Sequence, residues 1–361
     1  MRKLIIIILT ALVFTSCDIL GIKNNPSKPI ITQPIINPGD TPDNPITRIE
    51  NCQLTTVAWV TLLNEIKANG KYVDLDLSAC TSGGQSSGGG LWSDGTFYPD
   101  PYLQGINSWT AHEGKTKIVS LILPEAATSF PKPRETEDTT GILYEVMFSG
   151  FSALRHISGI NITDIVRNCF AGLGTLYSPD DGHVIWNTGI LTSIDFPNVI
   201  TIGEDAFIRC YNLTYVNIPK VQIIKMQAFG SCLSLQSLFI PDIIFISYVA
   251  FNNTILTEFV LGEVAPKMDY RILGDASSRT ITVKVPQEAT GYGEIPNNYI
   301  GGDTSKNWGN AFRGMGWNPD RANMLYVAPN GVSSGVRYDA DGFAPINYIR
   351  TGITLRVEYI P

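Results

Sequence analysis

The groups that could do chemistry in this chain of 361 residues are few. Only His112, His156 and His183 are present, and none has a second histidine or a cysteine at metal-ligand spacing, so no zinc site is expected. No Gly-x-Ser-x-Gly elbow occurs, and no pair of carboxylates is marked by its surroundings for acid–base work. Asp339-Ala340-Asp341-Gly342 has the opening of a calcium loop without the later ligands and reads as a β-turn. The glycine run from Gly83 to Gly90 lacks the lysine and following helix of a phosphate cradle and reads as a flexible linker. No catalytic residue, metal or cofactor is therefore expected, and the chain reads as a binding protein and not as an enzyme.

The cysteines carry more information. Cys17 directly follows Thr15-Ser16, which close an apolar run from Leu4 to Phe14 behind the basic Arg2-Lys3. That order is a secretion signal, too short to span a membrane permanently. A cysteine directly after the small pair resembles the bacterial lipobox, and the resemblance implies that Cys17 is acylated and becomes the mature N-terminus. Each buried CH₂ adds roughly 0.8 kcal/mol, so two or three acyl chains would hold the protein on a membrane. The expected location is the bacterial cell envelope, lipid-anchored, on the outer membrane facing outside. Five cysteines remain after acylation. Cys169, Cys210 and Cys232 fall in apolar slots of the repeat described below and are expected as free, buried thiols; Cys52 and Cys80 form the one plausible disulfide.

What positions these groups is a set of segments with different compositions. Residues 1–16 are the signal and 17–48 the anchor and linker, with prolines at 26, 29, 34, 38, 42 and 45. At ~3.1 Å per residue in a polyproline conformation, the segment from Lys23 to Arg48 would reach about 80 Å. Residues 49–117 should form an N-terminal cap. Leu54, Val57, Ala58, Leu62 and Ile66 recur at helical spacing before the stop signal Asn69-Gly70, and an alternating strand over Tyr72–Leu77 could begin a ladder. A loop from Thr81 to His112 follows. Removing the leader takes only Arg2 and Lys3 from the 26 Lys and Arg, leaving 24 against 33 Asp and Glu, a net charge of −9. A nucleic-acid partner is not expected.

The decisive pattern is internal. Cutting before Leu191, Leu213, Leu235 and Leu256 gives segments of 22, 22 and 21 residues that align slot by slot. Three residues on stand Ile194, Val216, Leu238 and Phe259; six on stand Pro197, Pro219 and Pro241. Ile202, Ile224 and Ile246 share a slot, as do Ala206-Phe207, Ala228-Phe229 and Ala250-Phe251. The frame extends upstream through Leu154, Ile157, Ile165 and Phe170, and to Ile118, Leu121, Leu123 and Pro124, with extra residues between; Thr280, Val283 and Val285 look like a last strand. One strand and one turn per repeat cannot bury their apolar sides alone, so neighbours must stack into a continuous core. Seven strands at 4.7–4.9 Å spacing predict a ladder ~30 Å wide.

Leu213, Val216, Ile218 and Pro219, followed by Ile224, Ala228, Phe229 and Cys232, resemble the BspA-like, or treponemal-type, leucine-rich repeat. The resemblance covers Ile118 to Pro286 and implies a β-rich solenoid of about 6–7 short repeats, closed by a helical N-terminal cap and, over 287–361, a β-containing C-terminal cap. Asn307–Trp317 and the alternation from Ile353 to Tyr359 would build the latter. Family members are typically surface proteins of host-associated bacteria, which implies adhesion to host or bacterial proteins; a structural or periplasmic envelope role is the alternative.

In such a repeat the strand positions between core residues face the concave side. One row is then Ser120, His156, Ser193, Tyr215, Ser237, Glu258 and Thr282, and a second is Ile122, Ser158, Asp195, Asn217, Phe239, Val260 and Lys284. Tyr215 and Phe239, with Asp195, Asn217 and Glu258 around them, are the candidate protein-binding residues, since they set aromatic anchors among polar neighbours. The expected partners are a protein and, through the lipid on Cys17, a membrane.

Overall fold

The computed structural model describes residues 37–83, 89–99, 109–131, 147–148, 150–171, 176–177, 184–185, 190–268, 272–273, 280–290, 332–337, 346–351 and 354–361. The signal, Cys17, His183, the Asp339–Gly342 turn and the Asn307–Trp317 segment lie outside these residues, as do Ile353 and the centre of the glycine run.

Two parallel ladders face each other across one apolar core. The larger has ten strands in the order Ile46–Ile49, Val73–Asp76, Ile118–Ile122, His156–Ser158, Ser193–Asp195, Tyr215–Asn217, Ser237–Phe239, Glu258–Val260, Thr280–Pro286 and Thr354–Ile360. The smaller has five two-residue strands, Asp164–Ile165, Thr201–Ile202, Ile223–Ile224, Phe245–Ile246 and Lys267–Met268. Each full repeat thus contributes two short strands and not one. The second is hidden in the sequence because two residues carry no alternation; it is held by the equivalent pairs of neighbouring repeats, as in Thr201↔Ile223 and Ile223↔Phe245. The fold is a leucine-rich-repeat solenoid.

Between the ladders every slot predicted as core is buried, including Leu191, Leu213, Leu235 and Leu256 at 0% exposure. The Ala-Phe slot makes the opposite wall a column of rings. Phe148, Phe170, Phe207, Phe229 and Phe251 stack with centroids 4.6, 5.1, 5.1 and 5.7 Å apart and planes 24°, 7°, 10° and 16° from parallel. Stacked rings of this kind add to the burial of each side chain. Cys169, Cys210 and Cys232 are buried and in no disulfide; the thiols of Cys210 and Cys232 point at the carbonyls of Phe170 and Phe207, 3.3 and 3.2 Å away. Burial pushes the thiols of Cys169 and Cys232 well above their ordinary range, which keeps them protonated and unreactive.

The turn before each ring needs a left-handed residue. Asn168, Asp205, Gln227 and Val249, all in the slot directly preceding the Ala position, have φ of 55°, 54°, 51° and 48°. Asn and Asp tolerate this conformation and a β-branched residue does so poorly. The slot carries no glycine. Asp205 is half-buried with Oδ1 lacking a hydrogen-bond partner, and burial, then the neighbouring Glu204, push its carboxyl up to about 6 against the pull of Arg167 and Arg209.

The N-terminal cap has one α-helix, Thr56–Asn69 (α1). Thr55 caps it, its hydroxyl accepting from the Ala58 N–H at 3.1 Å, and Gly70, left-handed at φ 69°, ends it. Trp59, Leu62, Leu63 and Ile66 form the buried stripe. Val57, expected on that stripe, is 75% exposed; Trp59 takes the inward position, its ring edge-on to Phe97 at 5.7 Å and its Nε1 donating to the Pro99 carbonyl at 3.1 Å. The segment predicted as a loop from Thr81 to His112 contains short strands at Thr81–Ser82, Gly90–Leu91 and Phe97–Tyr98 and the start of a 3₁₀ helix, Trp109–Lys117. That helix lies so close to α1 that a Cβ on Gly114 would sit 2.0 Å from the Leu63 carbonyl oxygen.

Two boundaries differ from expectation. The linker was expected to run to Arg48, but Ile46–Ile49 is an edge strand pairing in parallel with Val73–Asp76. The prolines end at Pro45, and the pairing partner lies beyond α1, so local composition hid the strand. At the other end Thr354–Ile360 adds in parallel to Thr280–Pro286. The concave ladder of ten strands is therefore about 43 Å wide at the usual spacing, and not ~30 Å. Among the described residues no helix is long and apolar enough to cross a membrane.

Candidate protein-binding face

The register of the large ladder builds the two concave rows directly. Ser120↔His156, His156↔Ser193 and Ser193↔Tyr215 run through the first; Ser237↔Glu258 and Glu258↔Thr282 continue it. Ile122↔Ser158, Ser158↔Asp195, Asp195↔Asn217, Asn217↔Phe239, Phe239↔Val260 and Val260↔Lys284 make the second. Each repeat's core residue sits between its two row residues and points inward, so Val216 and Leu238 are buried while the flanking Tyr215 and Phe239 are 58% and 51% exposed. Strand alternation alone produces this division.

Tyr215 and Phe239 stand on adjacent strands, offset by two residues, which places their Cα atoms about 8 Å apart by ladder geometry. Their polar neighbours are ordered. Asn217 Nδ2 donates to Asp195 Oδ1 at 2.7 Å, and Lys284 Nζ pairs with Glu258 Oε2 at 2.6 Å. The hydrogen bond from Lys284 to Glu258 holds the lysine above its ordinary range, and at this exposure such a pair fixes side-chain positions more than it stabilises the fold. All five candidate residues thus lie on one face: Asp195, Asn217 and Phe239 in consecutive strands of one row, Tyr215 and Glu258 in the other.

The N-terminal third of the face has a different character. Asp74 and Asp76 alternate with the buried Val73 and Leu75 and lie in the rows of Ser120 and Ile122. Burial raises the Asp74 carboxyl, and the charge of His156 partly offsets this. His156 Nδ1 lies 2.6 Å from Ser193 Oγ and 3.4 Å from Thr192 Oγ1. Ile122 and Ile49 are 39% and 68% exposed in the second row. The alternation of Tyr72–Leu77 could have placed Asp74 and Asp76 on the face from sequence; Ile49 could not have been placed, because its strand was not foreseen. Among the described residues no group of three or more His, Cys, Asp or Glu side chains is placed to hold a metal ion.

Residues 184–290 match the family model for the BspA-type leucine-rich-repeat region, in six copies. No curated protein matches the chain. A solved leucine-rich repeat protein from Bacteroides ovatus aligns at 14% identity with a TM-score of 0.25, over 50% of this chain and 52% of that one, so the match spans about half the length of that protein. The six matched copies lie within the stretch where the 22-residue slots, the two stacked ladders and the phenylalanine column were found, and on that ground residues 184–290 are a BspA-type leucine-rich-repeat region.

Proposed function

We propose that this protein is a lipid-anchored surface protein of a bacterial envelope that binds other proteins through its concave face, in adhesion to host or bacterial surfaces. The observation that carries the binding role is the pair Tyr215 and Phe239, more than half exposed at the middle of the ladder and bracketed by the Asp195–Asn217 hydrogen bond and the Glu258–Lys284 ion pair. A large aromatic surface left in water beside fixed polar groups costs solvation that a partner recovers, and aromatic anchors inside a polar rim dominate the energetics of protein interfaces. The anchoring part rests on Arg2-Lys3, the apolar run and Thr15-Ser16-Cys17.

Brief protease treatment of intact cells, with a lysed-cell control, tests location. Loss of the folded body from intact cells supports the surface role. Protection there with cleavage after lysis moves the protein to the periplasm and favours an envelope partner. Binding is tested by the combined Tyr215→Ala and Phe239→Ala variant. Retained adhesion to every partner the wild-type chain binds, with an unchanged melting curve, would show that the concave face is not the site. Radiolabelled palmitate incorporation that survives Cys17→Ser would remove the anchor from the proposal.

A further inference from the structure

The geometry points to Cys52 and Cys80 as a dithiol that closes to a disulfide and staples the N-terminal end of the solenoid. Their sulfurs lie 3.5 Å apart across 28 residues of chain. The backbone already holds the two cysteines side by side: the Thr81 N–H donates to the Cys52 carbonyl at 2.9 Å, and the next residues pair in parallel as Gln53↔Thr81 and Leu54↔Ser82. Shortening the gap to the ~2.05 Å of a disulfide asks for side-chain rotation and a small backbone adjustment only.

The position gives the bond a purpose. Among the described residues Ile46–Ile49 is the outermost strand of the ten and pairs with Val73–Asp76 alone. Terminal units of a stacked array have one neighbour and open first. Cys52 lies three residues after this edge strand and Cys80 four after its partner strand, so a bond between them ties the edge to the next rung and encloses α1 in the loop. The bond also holds Thr47 and Ile49 in line with the concave rows, which continue through Asp74 and Asp76.

Closure needs an oxidant, and a disulfide donor of an oxidising compartment supplies it. The partly exposed Cys52 thiol, losing its proton to solvent, attacks one sulfur of the donor and expels the first donor thiol, leaving a mixed disulfide on Cys52. The buried Cys80 thiol then loses its proton and attacks the Cys52 sulfur, expelling the second. Two protein thiols and one donor disulfide become one protein disulfide and two donor thiols. Burial, then the hydrogen bond with Cys80, push the Cys52 thiol up to about 12, so a donor with an acidic leaving thiol speeds the first exchange.

The folded full chain is treated with the aromatic disulfide dithiobis-nitrobenzoate, quenched with an alkylating agent, digested and mapped by mass spectrometry. The expected product is a Cys52–Cys80 linked peptide pair, with Cys169, Cys210 and Cys232 alkylated only after denaturation. The oxidised chain should melt roughly 5–10 °C above the reduced chain, as a loop of this length implies, and this difference should vanish in Cys52→Ser. Cys80→Ser should instead trap the nitrobenzoate adduct on Cys52. Recovery of both thiols, or of an adduct on Cys52 in the wild-type chain, would overturn the pairing. A linked pair without a melting shift would overturn the staple.

Discussion

The carboxyl of Asp205 gives a stability test whose sign and size follow from the structure. It occupies the left-handed slot before Phe207's alanine at φ 54°, as Asn168 does one repeat earlier at φ 55°. Asp205→Asn therefore keeps the backbone and nearly the shape while removing the charge. The folded carboxyl is pushed up to about 6 from the ordinary 3.8. The folded chain thus holds a proton between pH 4 and 6 that the unfolded chain releases, so this group's contribution to stability is fully present below about 4, is lost as pH rises to 6 and does not change above. At 1.36 kcal/mol per unit the gap corresponds to about 3 kcal/mol. Because the side chain is only half-buried, solvent screening reduces this to about 1 kcal/mol.

The variant should accordingly be about 1 kcal/mol more stable than the wild type at pH 8, with the two converging at pH 4. Urea denaturation of both chains at the two pH values reads this difference, and titrating groups that do not interact with position 205 cancel between them. A gap that does not change with pH, or an asparagine variant weaker at pH 8, would refute the claim that burial, aided by Glu204, raises the carboxyl.

Other substitutions probe the remaining parts of the array. Phe229→Ala removes a ring from inside the column and should cost about 3–5 kcal/mol by urea denaturation, with Phe207 and Phe251 losing their stacking partner. Leu213→Asn buries an amide with no partner and should cost about 1–3 kcal/mol beyond the lost packing, destabilising both adjoining repeats in hydrogen exchange; an unchanged melt would contradict the slot alignment. Gln227→Val puts a β-branched residue at φ 51° and should cost about 1–2 kcal/mol in the same assay, whereas Gln227→Asn should not. Thr55→Ala removes the cap of α1 and should cost about 1 kcal/mol, read as a lower denaturation midpoint.

How much of this was legible in the sequence depends on whether a residue's place is set by its own repeat or by a distant neighbour. Leu213, Val216, Ile218 and Phe229 recur in a fixed frame, so their burial and the concave rows of Tyr215 and Phe239 could be read directly. The second strand at Ile223–Ile224 could not, because two residues acquire strand geometry only from the rungs above and below. Ile46–Ile49 follows Pro45 in a proline-rich run and is a strand because Val73–Asp76, beyond a helix, offers it an edge. Cys52 and Cys80 could be singled out as a pair by elimination, but their approach to 3.5 Å depends on the same non-local pairing.

The division between core and row residues also decides what a loss of binding would mean. A core slot such as Leu238 is buried and shared with its neighbours, so changing it alters the curvature and stability of the whole ladder. Tyr215 and Phe239 are over half exposed, and exposed side chains away from special backbone positions usually change stability by less than about 0.5 kcal/mol. Asp195 and Glu258 are held from adjacent strands by Asn217 and Lys284, so they keep their places when the aromatic rings are cut back. A repeat protein built this way can exchange row residues without refolding its core, so the frame by itself does not name a partner. Loss of binding by the double alanine variant, with melting unchanged, can then be assigned to missing contacts and not to a disturbed array.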